Sequence, residues 1–219
     1  SLNAGDTHYT DILGLPPLRE AIAAYHTRIS GQTVTAENVA VVSGAQGGLF
    51  YASMLVLDQG DDVVVPEPMY LTYEATIRAA GGRIIRVPMR PENEFHLDPA
   101  DLEKAITAKT KAIMFATPSN PTGAMFSKET LEAMAKLAMR HNLWVICDEV
   151  YAALSFGKPH VSIAGLPGMA ERAITINSLS KSHAMTGWRV GWIVGPKELI
   201  RFAHDLGLST QYGLPGFIQ

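Results

Sequence analysis

The sequence predicts an α/β fold built on a mainly parallel sheet. Three observations predict it. Short runs rich in Val, Ile and Ala recur at residues 39–43, 62–65, 83–87, 112–116, 143–147, 173–176 and 192–194. Most of these runs are continuously apolar rather than alternating, which marks strands covered on both faces. Segments with helical spacing of apolar residues fall between them, the order that joins parallel strands by helical crossovers.

Each element has a local reason. Val39–Ser43 reads as a strand, followed by a helix through 49–57. Residues 62–65 form the next strand, then a helix through 70–80, then a strand at 83–87. Asp98 can cap a helix whose first turn suits Pro99. Residues 112–116 return to a strand. Ser127 caps a helix in which Leu131, Met134, Ala135 and Ala138 share one face. Residues 143–147, 173–176 and 192–194 complete the strands. No internal repeat, low-complexity tract or linker interrupts the pattern. Arg83, Arg86 and Arg90 read as a solvated face.

Composition narrows the function. The chain has 219 residues, 47% apolar and 18% charged, within the range of globular domains. Its net charge of −3 gives no electrostatic reason to expect nucleic acid or an anionic membrane as partner. Cys147 is the sole cysteine, so no intrachain disulfide is possible and it reads as a small core residue. A reducing, cytoplasmic location is expected. No apolar run approaches the length of a membrane span, and no signal-peptide pattern opens the chain. The chain begins on Ser1-Leu2-Asn3 and reads as starting inside a longer protein. No metal site is expected.

In open α/β sheets, ligands bind beyond the carboxyl ends of the strands. Five such loops carry chemistry. Ser43-Gly44-Ala45-Gln46-Gly47-Gly48 offers small residues and a helix N-terminus, suited to an anion, although a plain turn would look the same. Pro66-Glu67-Pro68-Met69-Tyr70 ends in an aromatic that can stack on a flat ring or simply start a helix. Thr117-Pro118-Ser119-Asn120-Pro121-Thr122-Gly123 is a tight turn in which Asn120 exceeds what a turn requires. Its Asn-Pro bond is a candidate for the cis form. Asp148-Glu149-Val150-Tyr151 puts a carboxylate at a buried strand end, which demands a cation or donors. A protonated pyridine nitrogen would serve; so would a capping role for Asp148. The last loop, Ser178-Leu179-Ser180-Lys181, is followed by Arg189 among glycines. Arg offers a fork matched to phosphate. A lysine near cations and out of water is a nucleophile and base.

Taken together, these segments resemble the class I/II, fold-type I aminotransferases of the aspartate aminotransferase superfamily. The resemblance implies a three-layer sandwich on a mainly parallel, mixed sheet, with residues 1–219 as an incomplete large domain that binds pyridoxal 5'-phosphate (PLP). It implies that Lys181 holds the cofactor as a Schiff base and shuttles the proton. Asp148 would pair with the ring nitrogen, Asn120 and Tyr151 with the ring oxygen, and Tyr70 would stack on the ring. Ala45 and Gln46 (through backbone N–H), Ser178, Ser180 and Arg189 would hold the phosphate. Lys181, Asp148 and Tyr70 are thus the implied catalytic residues.

The opening His8-Tyr9-Thr10, with Gly14-Leu15-Pro16 and Leu18-Arg19, is similar to the family too. There a tyrosine at the place of Tyr9 reaches the phosphate of the neighbouring subunit, implying a homodimer with a shared site. Two departures stand out: His183 replaces a commoner Tyr or Phe, and Tyr70 a commoner Trp. Family members extend further at both ends, through an N-terminal arm and a C-terminal small domain, and in the family the latter carries the arginine for the substrate carboxylate.

Transamination between an amino acid and a 2-oxo acid is the expected activity. Residues 66–70, 180–185 and 212–213 resemble bacterial arginine–pyruvate transaminases. A PLP-dependent carbon–sulfur β-lyase and a non-catalytic, aminotransferase-like sensor domain are the alternatives on the same scaffold.

Overall fold

Seven short strands carry the architecture: β1 (Val39–Ser43), β2 (Asp62–Glu67), β3 (Arg83–Pro88), β4 (Thr110–Ala116), β5 (Trp144–Asp148), β6 (Ala173–Ser178) and β7 (Val190–Val194). A computed structural model describes residues 2–5 and 7–219. The strands form one sheet in the order β1-β7-β6-β5-β4-β2-β3. All neighbours run parallel except β7, which is antiparallel to both β1 and β6. The carboxyl ends of β1, β4, β5 and β6 therefore lie along one edge of the sheet, and β7 enters from that edge. There Asp148 is flanked by Ala116 and Ile176, and Ser178 by Gly191.

The helices are α1 (Pro16–Ser30), α2 (Gly44–Val56), α3 (Tyr73–Ala79), α4 (Pro99–Ala105), α5 (Lys128–Arg140), α6 (Leu179–Ser182) and α7 (Lys197–Ser209). Successive strand side chains point to opposite faces, so each strand feeds two cores. Val63, Val65, Met114 and Ile146 pack with Leu49 and Ala52 of α2, Ile77 of α3 and Ile200 of α7. Val64, Ile113, Phe115 and Val145 pack on the other face with Leu102 of α4 and Leu131 and Met134 of α5. Ile22 and Ala23 of α1 extend that covering over Val39 and Val41 of β1 and Trp192 of β7. This is the reason the central strands read as unbroken apolar runs. Truncating a fully buried residue such as Met114 or Ile146 to Ala would cost about 2–5 kcal/mol.

The expected caps form: Asp98 accepts from the Ala100 N–H, and Ser127 from the Thr130 N–H. The buried face of α5 comprises Leu131, Met134, Ala135, Leu137 and Ala138. Cys147 is a buried core residue.

Several boundaries differ from expectation. The helix after β1 starts at Gly44 rather than residue 49, because Gly44 at φ +67° turns the strand directly into the helix. The helix after β2 starts at Tyr73 rather than 70, since the chain first turns and the Tyr70 carbonyl accepts from the Tyr73 N–H. β3 is an edge strand with Arg83 and Arg86 outward, so its burial is discontinuous. Those arginines are paired as well as solvated: Arg83 with Asp62, Arg86 with Glu67 and Glu74. Helices α1 and α7 were not expected from the apolar runs. The first opens on Pro16-Pro17, and the second buries Leu199, Ile200 and Ala203 on one face. Among the described residues, no helix is long and apolar enough to cross a membrane.

Candidate active site

A cleft of about 270 Å³ opens beyond the carboxyl edge of the sheet. Ala45, Gln46, Tyr70, Asn120, Asp148, Tyr151, Ser178, Ser180, Lys181 and Arg189 all line it. The topology explains why. These residues come from α2's first turn and from the loops after β2, β4, β5 and β6, which the strand order brings together.

The floor is Asp148, the last residue of β5 and only 5% exposed. Oδ2 accepts the Tyr73 hydroxyl at 3.1 Å, and Oδ1 accepts the Val150 N–H at 3.2 Å. Burial pushes its carboxyl up to about 6; those two hydrogen bonds pull against the shift, and the neighbouring Glu149 charge adds to it. Tyr73 is fully buried, and burial together with Asp148 holds its phenol well above the ordinary range. Tyr73 is therefore a fixed donor. It also meets Tyr70 edge-on, with ring centroids 5.8 Å apart.

One end of the cleft is built for an anion. The first N–H groups of α2 have no side-chain cap from Ser43. The Arg189 guanidinium lies against Gly44 so closely that a Cβ there would collide with it. A Cβ on Gly191 would collide with the Gly44–Ala45 backbone. Arg189 donates to the Thr186 carbonyl at 2.7 Å, and its own carbonyl accepts the Gly44 N–H at 3.0 Å. Ser178 is fully buried and accepts from the Ser180 N–H at 3.3 Å. On the β2 side, Thr72 donates to Gln46 Oε1 at 2.7 Å, tying the loop after β2 to α2.

Lys181 belongs to α6, directly after β6, and its ammonium stands 5.7 Å from the Tyr151 ring centroid. Lys181 and Arg189 both stand at the rim of the cleft. Asn120 and Tyr151 are half-buried beside them. The Asn120–Pro121 bond is cis, as are Glu67–Pro68 and Thr117–Pro118. Tyr9 lies elsewhere, 85% exposed and edge-on to Tyr212 at 5.1 Å, so it does not line this cleft.

Sequence reasoning missed Leu49, Ala116, Val150 and Thr186 in the lining, and Tyr73 and Thr72 behind it. Val150 had a signal, since it sits between two candidate residues. Tyr73 had only its place three residues after Tyr70.

This arrangement fits PLP on two grounds. A buried carboxylate at the floor lacks a cation among its partners, as a ring-nitrogen partner should. An arginine and bare helix N–H groups sit where side chains beyond Gly would block them, as a phosphate seat should. Among the described residues, no His, Cys, Asp and Glu cluster is arranged for a metal.

The comparisons with known proteins agree. Residues 2–212 match the sequence profile of the family aminotransferase class I and II, whose members use pyridoxal 5'-phosphate. The chain is 52% identical to the arginine–pyruvate transaminase of Pseudomonas aeruginosa over 219 residues, all of this chain and 56% of that protein. It is 41% identical to an aspartate/prephenate aminotransferase of Thermus thermophilus over 203 residues, 92% of this chain and 52% of the relative. The structure of the T. thermophilus aspartate aminotransferase with maleate superposes with a TM-score of 0.96 at 38% identity, covering 100% of this chain and 56% of that one. The chain belongs to the class I and II aminotransferases, with the fold-type I architecture. It spans about half the length of the curated relatives it matches.

Proposed function

We propose that the full-length protein is a PLP-dependent aminotransferase moving an amino group from an L-amino acid to a 2-oxo acid, with arginine and pyruvate as the first pair to test. One observation carries the reading: a single cleft holds the buried Asp148 carboxylate at its floor and the Lys181 amine at its rim. When bound, PLP supplies an electron sink that makes the α-hydrogen of an amino acid acidic.

The chain's own residues do the rest. Asp148 would pair with the ring nitrogen and favour its protonated form, and Tyr73 keeps Asp148 aimed. Asn120 and Tyr151 would hydrogen-bond the ring oxygen, and Tyr70 would stack on the ring. The Ala45 and Gln46 N–H groups, Ser178, Ser180 and Arg189 hold the phosphate. Lys181 would hold the cofactor, and its amine, once free, would be placed to carry a proton. Residues 1–219 make up the cofactor-binding large domain, in incomplete form. Tyr9, exposed and outside its own cleft, would reach the phosphate of a neighbouring subunit in a homodimer. A cytoplasmic location fits this metabolism.

The choice of arginine and pyruvate is supported by the 52% identity to a transaminase of that name. The test is a panel of L-amino acids with pyruvate and 2-oxoglutarate. Keto-acid formation that requires an acceptor supports the reading, and activity with arginine supports the pair. Pyruvate and ammonia released without an acceptor would point to the carbon–sulfur β-lyase. Cofactor bound without turnover of any amino acid would point to the sensor domain.

A further inference from the structure

We propose that Glu149 and His160 form a buried clamp that closes the base of the loop carrying Tyr151 and thereby positions Tyr151 in the cleft. The positioning role rests on the reading of the cleft above; the clamp itself does not.

Glu149 follows Asp148 directly but turns away from the cleft. Its side chain is fully buried, close enough to Tyr25 of α1 to add to the upward push that burial gives that phenol. Oε1 accepts from the Cys147 thiol at 3.6 Å. Oε2 stands 3.3 Å from Nε2 of His160, whose side chain is 8% exposed. Among the described residues, Glu149 Oε2 and both His160 ring nitrogens have no hydrogen-bond partner of good geometry, so this close approach is the one polar contact each side offers the other. A buried carboxylate and a buried imidazole without alternatives are costly unless they satisfy each other. The cluster with Cys147 is not arranged for a metal. Nor does it line the cleft.

What the pair does join is the two ends of the loop 150–159. That loop supplies Val150 and Tyr151 to the cleft and carries Phe156, 95% exposed, at its tip. Its internal backbone bonds are local: Ala152 to Glu149, Leu154 to Tyr151 and Lys158 to Ser155. None of them ties the start of the loop to its end. Glu149 and His160 do, from beneath. His160 and Glu149 are thus positioning residues that act through Tyr151.

Limited proteolysis and cofactor binding on the full-length protein test this together. In His160→Leu, chymotrypsin should cleave after Phe156 at least about tenfold faster than in wild type, because the loop opens more often. His160→Gln, which keeps an N–H donor near Nε2, should restore slow cleavage. With PLP bound, His160→Leu should shift the pH titration of the cofactor absorbance in the same direction as Tyr151→Phe. The double variant should shift no further than Tyr151→Phe alone. Should His160→Leu fail to fold, Glu149→Gln provides the comparison, and wild-type cleavage there overturns the clamp. A lower melting temperature with unchanged cleavage and unchanged titration overturns it as well. Faster cleavage with additive titration shifts supports the clamp and overturns the link to Tyr151. If Tyr151→Phe leaves the cofactor titration unmoved, the reading of Tyr151 falls while the cleavage result still decides the clamp.

Discussion

The Tyr73 hydroxyl donates to Oδ2 of Asp148 at 3.1 Å, with both side chains buried. A donor aimed at a buried carboxylate stabilises its charged form. Tyr73→Phe leaves the ring in place and removes that donor. We expect the Asp148 carboxyl to rise above its present value of about 6. Unfolding in urea should show a loss of about 2 kcal/mol, typical of a bond to a charged buried group. PLP should dissociate faster, since less of Asp148 is ionised to meet it. An unchanged stability and an unchanged cofactor off-rate would show that the bond contributes nothing.

Asp148 also sets a pH dependence. Its carboxyl is raised from 3.8 to about 6 by burial. Between those values the folded protein binds more protons than the unfolded one, so stability falls as pH rises. The penalty is fully developed above pH 6 and absent below the unfolded value. Its size is about 3 kcal/mol, from roughly two units at 1.36 kcal/mol each. Asp148→Asn should flatten this part of the stability curve of the cofactor-free protein, measured by denaturant midpoints across pH 3–7. The same variant should bind PLP more weakly, having no charge for the ring nitrogen. A curve with the wild-type slope would assign the pH dependence elsewhere.

Gly191 tests the anion seat. A Cβ there would collide with the Gly44–Ala45 backbone, which cannot swing aside as a side chain can. Gly191→Ala should displace the first turn of α2. PLP affinity should drop by about tenfold or more, the scale of about 1.4 kcal/mol, while pyridoxal without the phosphate binds about as in wild type. Equal losses for both ligands would mean general damage rather than a disturbed phosphate seat.

Much of this was legible in the sequence because strand ends are legible. The continuous apolar runs at 112–116 and 143–147 announced strands covered on both faces, and the sheet places both centrally. Asp148, Asn120 and Lys181 stood past such runs and Arg189 just before the last one, and the strand order gathers them into one cleft. What escaped was whatever depends on packing at a distance. Tyr73 looked like any helix aromatic, since its hydroxyl partner lies 75 positions away. The edge strand β3 broke the apolar rule because Arg83 and Arg86 face solvent there, paired with Asp62, Glu67 and Glu74. Helix α7 went unread, although Leu199, Ile200 and Ala203 share one buried face.

The central claim is that Lys181 anchors PLP opposite Asp148. Borohydride reduction of the PLP-loaded full-length protein, followed by peptide mass spectrometry, tests it most directly. The account predicts a pyridoxyl group fixed to Lys181, and its loss in Lys181→Ala. A protein that stays unlabelled, or carries the label on another lysine, would contradict it.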